Sequence, residues 1–301
     1  MADKSRKKAS KKAVKEKKSP KEKKQREPEY SVSLLKTKVL NYNEYYFSGK
    51  EKLLYSLSAF IISAAVAYLM YGGIGSNENG DPTVITHILN VIICGGAGIA
   101  AVKLYLPIRQ DQLKLKRQRV IRQQFMDMLD SLSGSIAAGN NAAKAFEISG
   151  NDLAMQYGKD SYIVKEVQLL LKGQENLINI DSMLSDFGKR SGITEIENFA
   201  QVFAVSYRRG GDFGRVIRDT YDILYNKINI EREIETKLTA TKNEFNIMLV
   251  MPIVIMGMLK MSGGDFAHSF MTLSGIAGVS AGLGLIIAAV FAARKITDIE
   301  V

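Results

Sequence analysis

The stretch of residues 206–255 changes from charged to apolar while keeping a helical pattern. From Asp212 to Phe245, apolar residues recur every three or four positions and charged residues fill the opposite face. This spacing predicts one amphipathic helix, with Asp212 as its N-cap. After Phe245 no charged residue occurs before Lys260, and no Gly or Pro lies between residues 215 and 251. The pattern therefore predicts one rod, roughly 70 Å long at 1.5 Å per residue, that leaves a soluble domain and enters a membrane.

Three other apolar runs have lengths typical of membrane spans. The predicted spans are residues 53–71, 84–106, 245–260 and 270–293, with 245–260 the shortest. Six Lys and Arg follow the second span between Arg109 and Arg122, whereas the connection at 72–83 contains none. An excess of Lys and Arg marks the cytoplasmic side of a membrane. The sequence thus predicts four spans with both termini cytoplasmic.

Residues 108–244 contain no run long enough to span, and their apolar residues follow a helical period. Gly139 is predicted to end the first helix, Asn140–Asn141 to cap the second, and Asp181 to cap a helix over 182–189. Short Gly and Asn turns separate about six helices, which predicts a cytoplasmic antiparallel bundle. The expected fold class is an all-α integral membrane protein, with transmembrane hairpins at 51–107 and 245–301.

The segment before the first span has two parts. Residues 1–29 carry 13 Lys and Arg against 5 Asp and Glu, with almost no large apolar residues, which predicts a disordered basic cytoplasmic tail. Such a tail can bind anionic lipid or nucleic acid. Residues 30–50 are rich in aromatic side chains and are predicted to lie on the cytoplasmic leaflet. The alternative is a helix that packs on the domain.

No catalytic, metal or cofactor site is expected. Cys94 is the single cysteine and lies in an apolar run, and the two histidines, His87 and His268, are far apart in the sequence. No phosphate-binding loop with the Walker pattern occurs, and two Asp-Phe-Gly triplets lack every other kinase motif. Four acidic residues of the domain are predicted to be solvated, with a divalent-ion site between helices as the alternative: Glu166, Glu175, Glu195 and Glu197.

Two patterns are candidates for contacts. Arg208–Arg209 followed by Gly210–Gly211 is either a helix C-terminus with two favourable cations or an exposed basic elbow that docks an acidic partner face. Ser274, Gly278 and Gly282 form a small-residue face on the last span, which packs against the chain's own spans or forms a dimer interface. Gly95, Gly96 and Gly98 are predicted to allow close helix packing.

Several segments in a fixed order resemble a known family. They are Met128–Leu132 with Ala138–Gly139, Ala142–Phe146, the Gly210–Phe213 break, the charged stretch Glu231–Ala240, and Pro252 within a span. Over residues 42–294 the chain resembles the F-domain proteins of type II secretion systems, in particular the platform proteins TadB and TadC of Tad (Flp) pili. The single F-domain fits the Tad type.

The resemblance implies a non-enzymatic platform in the inner (cytoplasmic) membrane. Its implied partners are a hexameric cytosolic secretion ATPase, a homologous platform protein in a homo- or hetero-oligomer, pilin subunits and membrane lipid. One alternative is a transporter component, against which Lys103 and Lys260 lie only near the ends of their spans. Another is a membrane-anchored scaffold that tethers lipid or nucleic acid through the basic tail, nucleic acid being the less favoured ligand.

Overall fold

The computed structural model describes residues 29–75, 82–209, 212–261, 269–270 and 272–297. Two short strands precede eight helices over these residues. The strands are β1 (Tyr30–Val32) and β2 (Lys38–Leu40), and the helices are α1 (Gly49–Tyr71), α2 (Val84–Ala137), α3 (Ala142–Tyr157), α4 (Tyr162–Glu175), α5 (Ile180–Ser191), α6 (Thr194–Arg209), α7 (Phe213–Met261) and α8 (Leu273–Thr297). The predicted basic tail, apart from Glu29, lies outside the described residues.

Two helices are much longer than the others. The 49-residue α7 confirms the predicted rod, and Asp212 caps it by accepting a 3.0 Å hydrogen bond from the Arg215 amide. The 54-residue α2 was not predicted as one helix, because the predicted transmembrane hairpin 51–107 ends at Pro107. Proline removes one backbone donor and crowds the carbonyl four residues earlier, but a helix well supported on both sides can continue through it.

The helical bundle consists of α3–α6 packed against the second half of α2 and the first half of α7. Its core is rich in phenylalanine, with Phe125 and Phe199 in edge-to-face contact at 5.4 Å between ring centroids. Each large apolar side chain buried in this core contributes about 1.5–3 kcal/mol relative to exposure. Gly139 ends α2 with φ +87°, and Asn141 caps α3, as predicted. The cap of α5 is Asn179, not Asp181, which lies buried in the first turn.

The segment before α1, here called the arm (residues 29–48), forms a hairpin and packs on the bundle. β1 and β2 pair antiparallel, with Tyr30 opposite Leu40, so the fold is not purely helical. Tyr42 is 2% exposed within the bundle core. The prediction of a segment lying on the membrane surface is therefore wrong at Tyr42, because its ring is buried between α4 and α5.

Four apolar helices extend away from the bundle. Among the described residues, α1, α2 and α7 are long and apolar enough to cross a membrane, and α8 contains a shorter apolar stretch, Ser274–Val290. In an apolar 18-residue stretch of each of these three helices, only 11% (α1), 11% (α2) and 0% (α7) of the residues are buried. So much exposed apolar surface requires a lipid environment or a partner to cover it.

Close packing joins α1 to α2. A side chain at Gly98 would collide with the Phe60 ring, as the prediction of close packing requires. Ser63 Oγ donates a 3.1 Å hydrogen bond to the Ala97 carbonyl at the same crossing. Gly95 and Gly96 differ, because an added Cβ at either would meet no atom within 4 Å. One of the three predicted glycines therefore accounts for the close approach.

Candidate functional site: the junction of the bundle with the apolar helices

Ion pairs between charged side chains connect α2 to α7 within the bundle, outside the apolar parts of the two helices. Arg122 donates two hydrogen bonds to the Glu231 carboxylate, one of them 2.9 Å long. Arg119 Nη1 lies 2.8 Å from Glu235 Oε1. Residue numbers rise along α2 as they fall along α7, so the two helices run antiparallel. Since the Arg122–Glu231 pair is bidentate and mostly buried, it fixes the register between the helices better than an exposed pair would.

Both helices become apolar at the same distance from this pair. Thirteen residues along α2 from Arg122 lead to Arg109, and fourteen along α7 from Glu231 lead to Phe245. Each path is about 20 Å long at 1.5 Å per residue. Beyond these points Lys103 and Lys260 are the only charged residues in the described parts of the two helices. We call this level, which contains Arg109 on α2 and Phe245 on α7 and at which both helices become apolar, the boundary level.

The start of α1 reaches the boundary level as well. The Arg109 guanidinium lies over the Tyr55 ring, 5.2 Å from its centroid. Phe47 contacts Tyr55 and Tyr45, with centroids 5.6 and 5.9 Å apart. Aromatic and cationic side chains together are typical of a membrane–water interface. The predicted interfacial role of the arm therefore fits its last residues, 45–47, although it fails at Tyr42.

A buried polar network holds the arm on the bundle. Arg190 donates to both oxygens of Glu166 at 2.9 and 2.7 Å, and its Nε donates to Asp186 at 2.8 Å. Tyr42 Oη donates a 2.9 Å hydrogen bond to Glu166. Burial, and the carboxylate of Glu166, raise the pKa of Tyr42 well above its usual value, so the phenol remains a donor. We call this network of Tyr42, Glu166, Asp186 and Arg190 the latch.

The latch corrects the prediction for Glu166, which is 4% exposed and not solvated. The positions of Glu166 and Arg190 in the sequence indicate that both charges are buried. Glu166 lies on the same helical face as Ile163 and Leu170, and Arg190 lies on the face of Met183 and Phe187, all four of which are buried. A charged residue on a buried face predicts an oppositely charged partner. Sequence spacing alone cannot pair residues on different helices.

The α6 helix is tied to the long helix α7. Lys227 Nζ lies 2.7 Å from Glu195 Oε1. Burial acts to raise the pKa of Glu195. The hydrogen bond from Lys227, a backbone hydrogen bond and the positive charges of Lys227 and Arg122 together outweigh burial, so the pKa of Glu195 lies below its usual value. Glu195 is thus half-buried and paired, whereas Glu175 is exposed as predicted. No cluster of three or more metal-ligating side chains occurs among the described residues.

The predicted contact residues Arg208 and Arg209 lie at the end of α6, and both are exposed. Arg208 Nε donates a 2.6 Å hydrogen bond to the buried Asp181 carboxylate, so this arginine has a structural partner. Arg208 and Arg209 also line an open cleft between α5, α6 and the β1–β2 turn, together with Leu34 and Val205. Gly210 and Gly211 lie outside the described residues.

The small-residue face of α8 borders an open groove. Ser274, Gly278 and Gly282 line it together with Pro252 and Met256 of α7. A Cβ at Gly278 or Gly282 would meet no atom within 4 Å, so neither glycine packs closely against the described helices. Contact between α8 and α1 is made elsewhere, through a 3.0 Å hydrogen bond between Tyr71 Oη and Ser280 Oγ.

The far end of α7 is fixed to the end of α1. Lys260 Nζ donates to the carbonyls of Met70 and Gly72, at 3.1 and 3.0 Å. The last carbonyls of a helix have no partner within the helix, so a cation is favoured there. The α7 helix is therefore attached to the bundle near Glu195, to α2 near Arg122 and to α1 at its far end.

These features define a class of protein: a membrane protein whose helical bundle continues into its apolar helices without a linker. The family model for type II secretion system (T2SS), protein F, matches residues 128–260. That range begins in α2 and ends in α7, so it covers the bundle and the apolar part of α7. Residues 128–260 are therefore similar to the F domains of type II secretion systems, in agreement with the resemblance found in the sequence. No curated protein and no solved structure matches the chain.

Proposed function

We propose that this protein is a platform of a Tad-type pilus or related secretion machine in the cytoplasmic membrane. In this proposal it is not an enzyme. The bundle contacts a hexameric secretion ATPase, and α7 and α2 pass its displacements to the membrane helices, where pilin subunits leave the bilayer. The observation that carries the proposal is the continuity of α2 and α7 across the boundary level. A helix transmits displacement along its axis, whereas a flexible linker would absorb it.

The proposed topology follows from charge. Lys and Arg between Arg109 and Arg122 lie on the bundle side of the boundary level, which supports a cytoplasmic bundle and cytoplasmic termini. In the proposal α8 is the fourth span. Its open groove at Gly278 and Gly282 is the proposed contact with a second platform protein, of this or a homologous chain.

The proposed ATPase contact is the end of the bundle farthest from the boundary level. The start of α7 lies there, because Gly214 lies against Ile136 near the end of α2. Arg209 is exposed at this end, and Arg208 keeps more than half of its side chain exposed despite its pairing with Asp181. An acidic face on the ATPase would complement these two cations.

The test changes the stiffness of α7 without changing its length. Thr241, Lys242 and Asn243 lie in α7 just before the boundary level. Replacing all three by glycine costs about 1 kcal/mol of helix stability per residue relative to alanine. We expect the glycine variant to abolish pilus assembly or secretion in cells while its abundance in the membrane is unchanged.

The matched control replaces the same three residues by alanine, which removes the same side chains and preserves the helix. We expect the alanine variant to retain assembly. Normal assembly by the glycine variant would contradict force transmission through α7. Equal failure of both variants would assign the defect to lost side chains and would contradict the proposal as well.

A further inference from the structure

An open groove runs between α2 and α7 beside the Arg122–Glu231 pair. Its volume is about 320 Å³, within the range of ligand pockets in proteins. Positions i, i+3, i+4 and i+7 of each helix line it, and this spacing places them on one helical face. On α2 the face is Lys116, Arg119, Val120 and Gln123, and on α7 it begins at Ile228 and ends at Glu235. Both helices therefore turn one face towards the same space.

The groove carries more positive than negative charge. Both of its carboxylates already pair with arginines of α2. Two cations remain, Lys116 on α2 and Arg232 on α7. Among the described residues Lys116 forms no ion pair, and Arg232 donates a 2.9 Å hydrogen bond to the Gln123 side-chain oxygen, which is neutral. Each helix thus supplies one positive charge that no carboxylate of the described chain neutralises.

Apolar side chains line the same groove. Ile228 is buried in the bundle core, whereas Val120 is exposed to the groove. Tyr157, the last residue of α3, also lines it. The Tyr157 hydroxyl donates to the Asp127 carboxylate, so the ring of this tyrosine is the part available to a ligand. A ligand that matches the groove therefore combines negative charge with an apolar or aromatic group.

The groove lies farther from the apolar region than lipid headgroups extend. Lys116 is seven residues from Arg109 along α2, and Arg232 is thirteen residues from Phe245 along α7. These paths are about 10 and 20 Å long at 1.5 Å per residue. The headgroup layer is only about 5–8 Å thick on each side of a bilayer. A soluble anion therefore fits this position better than a membrane lipid.

We propose that the groove binds a soluble phosphate ester that carries an apolar or aromatic group, the chemistry of a nucleoside phosphate. A phosphate monoester has a charge of about −1.5 to −2 at pH 7, which matches the two unpaired cations. Lysine and arginine are the side chains that bind phosphate in proteins. The phosphate lies between Lys116 and Arg232, and the base lies on Val120 and Tyr157.

The bound ligand connects α2 to α7 in addition to their ion pairs. Binding involves no reaction, and it requires neither the ATPase nor pilin subunits. The inference therefore goes beyond the proposed function and does not depend on it.

The test measures binding of ADP labelled with an N-methylanthraniloyl fluorophore to the full chain in phosphatidylcholine nanodiscs. Fluorescence anisotropy should rise on binding, and unlabelled ADP should reverse the rise. Adenosine lacks the phosphate and inorganic phosphate lacks the apolar group. Each should compete at least about tenfold more weakly than ADP. No ATPase is present, so failure of the proposed function would leave this result unchanged.

Two double variants separate the groove from net charge. Lys116→Gln with Arg232→Gln should raise the Kd for ADP at least about tenfold, because hydrogen bonds between charged groups are lost. The control, Lys114→Gln with Arg218→Gln, also removes one cation from each helix but lies outside the groove lining. It should change the Kd less than about twofold.

A further variant tests the groove without removing a cation. Val120→Glu places a carboxylate in the groove and should also weaken ADP binding. Lys116, Val120 and Arg232 are all exposed, so thermal unfolding without ADP should stay unchanged in these variants.

Four results would overturn the proposal. Absence of binding up to about 1 mM ADP would show that the groove is not a nucleotide site. Equal competition by ADP and inorganic phosphate would show that charge alone attracts the probe. Equal loss of affinity in the two double variants would assign binding to net charge. Loss of ADP binding when phosphatidylglycerol is included in the nanodiscs would assign the groove to a lipid headgroup.

Discussion

Arg190 joins three parts of the molecule through one side chain. It contacts Glu166 on α4, Asp186 on its own helix α5, and the Leu40 carbonyl of the arm. Its side chain is 6% exposed and that of Glu166 is 5% exposed. A buried guanidinium is tolerated only when its donors are matched, and here Nε, Nη1 and Nη2 all have acceptors. The arm and the bundle therefore share one polar centre.

Arg190→Met is expected to destabilise the bundle strongly. The substitution leaves the Glu166 carboxylate buried without a cation, which costs about 3–5 kcal/mol. Thermal unfolding of the detergent-solubilised chain measures the loss. Combining Arg190→Met with Glu166→Leu should recover a large part of it, because the unpaired carboxylate that then remains, Asp186, is more exposed than Glu166. A double variant as unstable as the single one would contradict this account of the latch.

Acid is expected to loosen the contact between α6 and α7 at Glu195. Because the pKa of Glu195 is lowered in the folded protein, the ionised form stabilises the fold above the usual carboxylate pKa. That contribution is lost as the pH falls through the lower, folded pKa. With Lys227 about one-third exposed, the contribution is at most about 1 kcal/mol.

Unfolding curves between about pH 6 and pH 3 test this expectation. Glu195→Gln should weaken the acid dependence of stability. Glu233→Gln is the matched control, because Glu233 pairs with Lys237 on the exposed face of α7 alone. An unchanged acid dependence in Glu195→Gln would contradict the role given to this pair.

At the residue level the sequence predicts caps and core positions better than charge pairs. Asn141 and Asp212 cap their helices as expected, because a cap depends on residues within one turn. Glu166 and Arg190 were not recognised as partners, because they are 24 positions apart on different helices and Tyr42 is a further 124 positions from Glu166. Tertiary packing, which brings them together, has no local signature.

The elements that matter most are α2 and α7, which cross the boundary level side by side. The sequence predicts α7 as one helix because no Gly or Pro interrupts residues 215–251. It does not predict α2 as one helix, because proline at a change of composition is typical of a helix end. The structure continues α2 through Pro107. The molecule therefore has two continuous helices at the junction where one was predicted.

Exchange of charges tests the register between these two helices. Arg122→Glu places two carboxylates together and is expected to weaken the α2–α7 contact by about 1–3 kcal/mol, since the native pair is bidentate and mostly buried. Adding Glu231→Arg restores an opposite-charge pair and should recover most of the loss in thermal unfolding. Failure of the second substitution to compensate would contradict direct pairing of these residues.

At the scale of the whole molecule, the boundary level predicts where a membrane begins. Thiol labelling with a membrane-impermeant reagent, in a Cys94→Ser background, measures it in sealed inside-out vesicles, which expose the cytoplasmic side to the reagent. Leu115→Cys and Thr239→Cys lie on the bundle side and should react, whereas Leu104→Cys and Val250→Cys should be protected by lipid. All four positions are exposed in the structure, so the fold of this chain does not account for a difference in their reactivity. All four should react after solubilisation in SDS.

Equal reactivity of Thr239→Cys and Val250→Cys in vesicles would contradict a common boundary for α2 and α7. The labelling pattern also tests the predicted topology, because reagent added from outside sealed, right-side-out vesicles should not reach Leu115→Cys or Thr239→Cys.

The central claim is that the bundle and the membrane helices move as one body. Double electron–electron resonance on the full chain in nanodiscs tests it, with spin labels at Met155→Cys on the bundle and Met258→Cys in the apolar part of α7, both exposed positions. The account predicts one narrow distance distribution, which broadens when residues 241–243 are replaced by glycine but not by alanine. A broad or multimodal distribution in the chain with its native 241–243 sequence would contradict the claim.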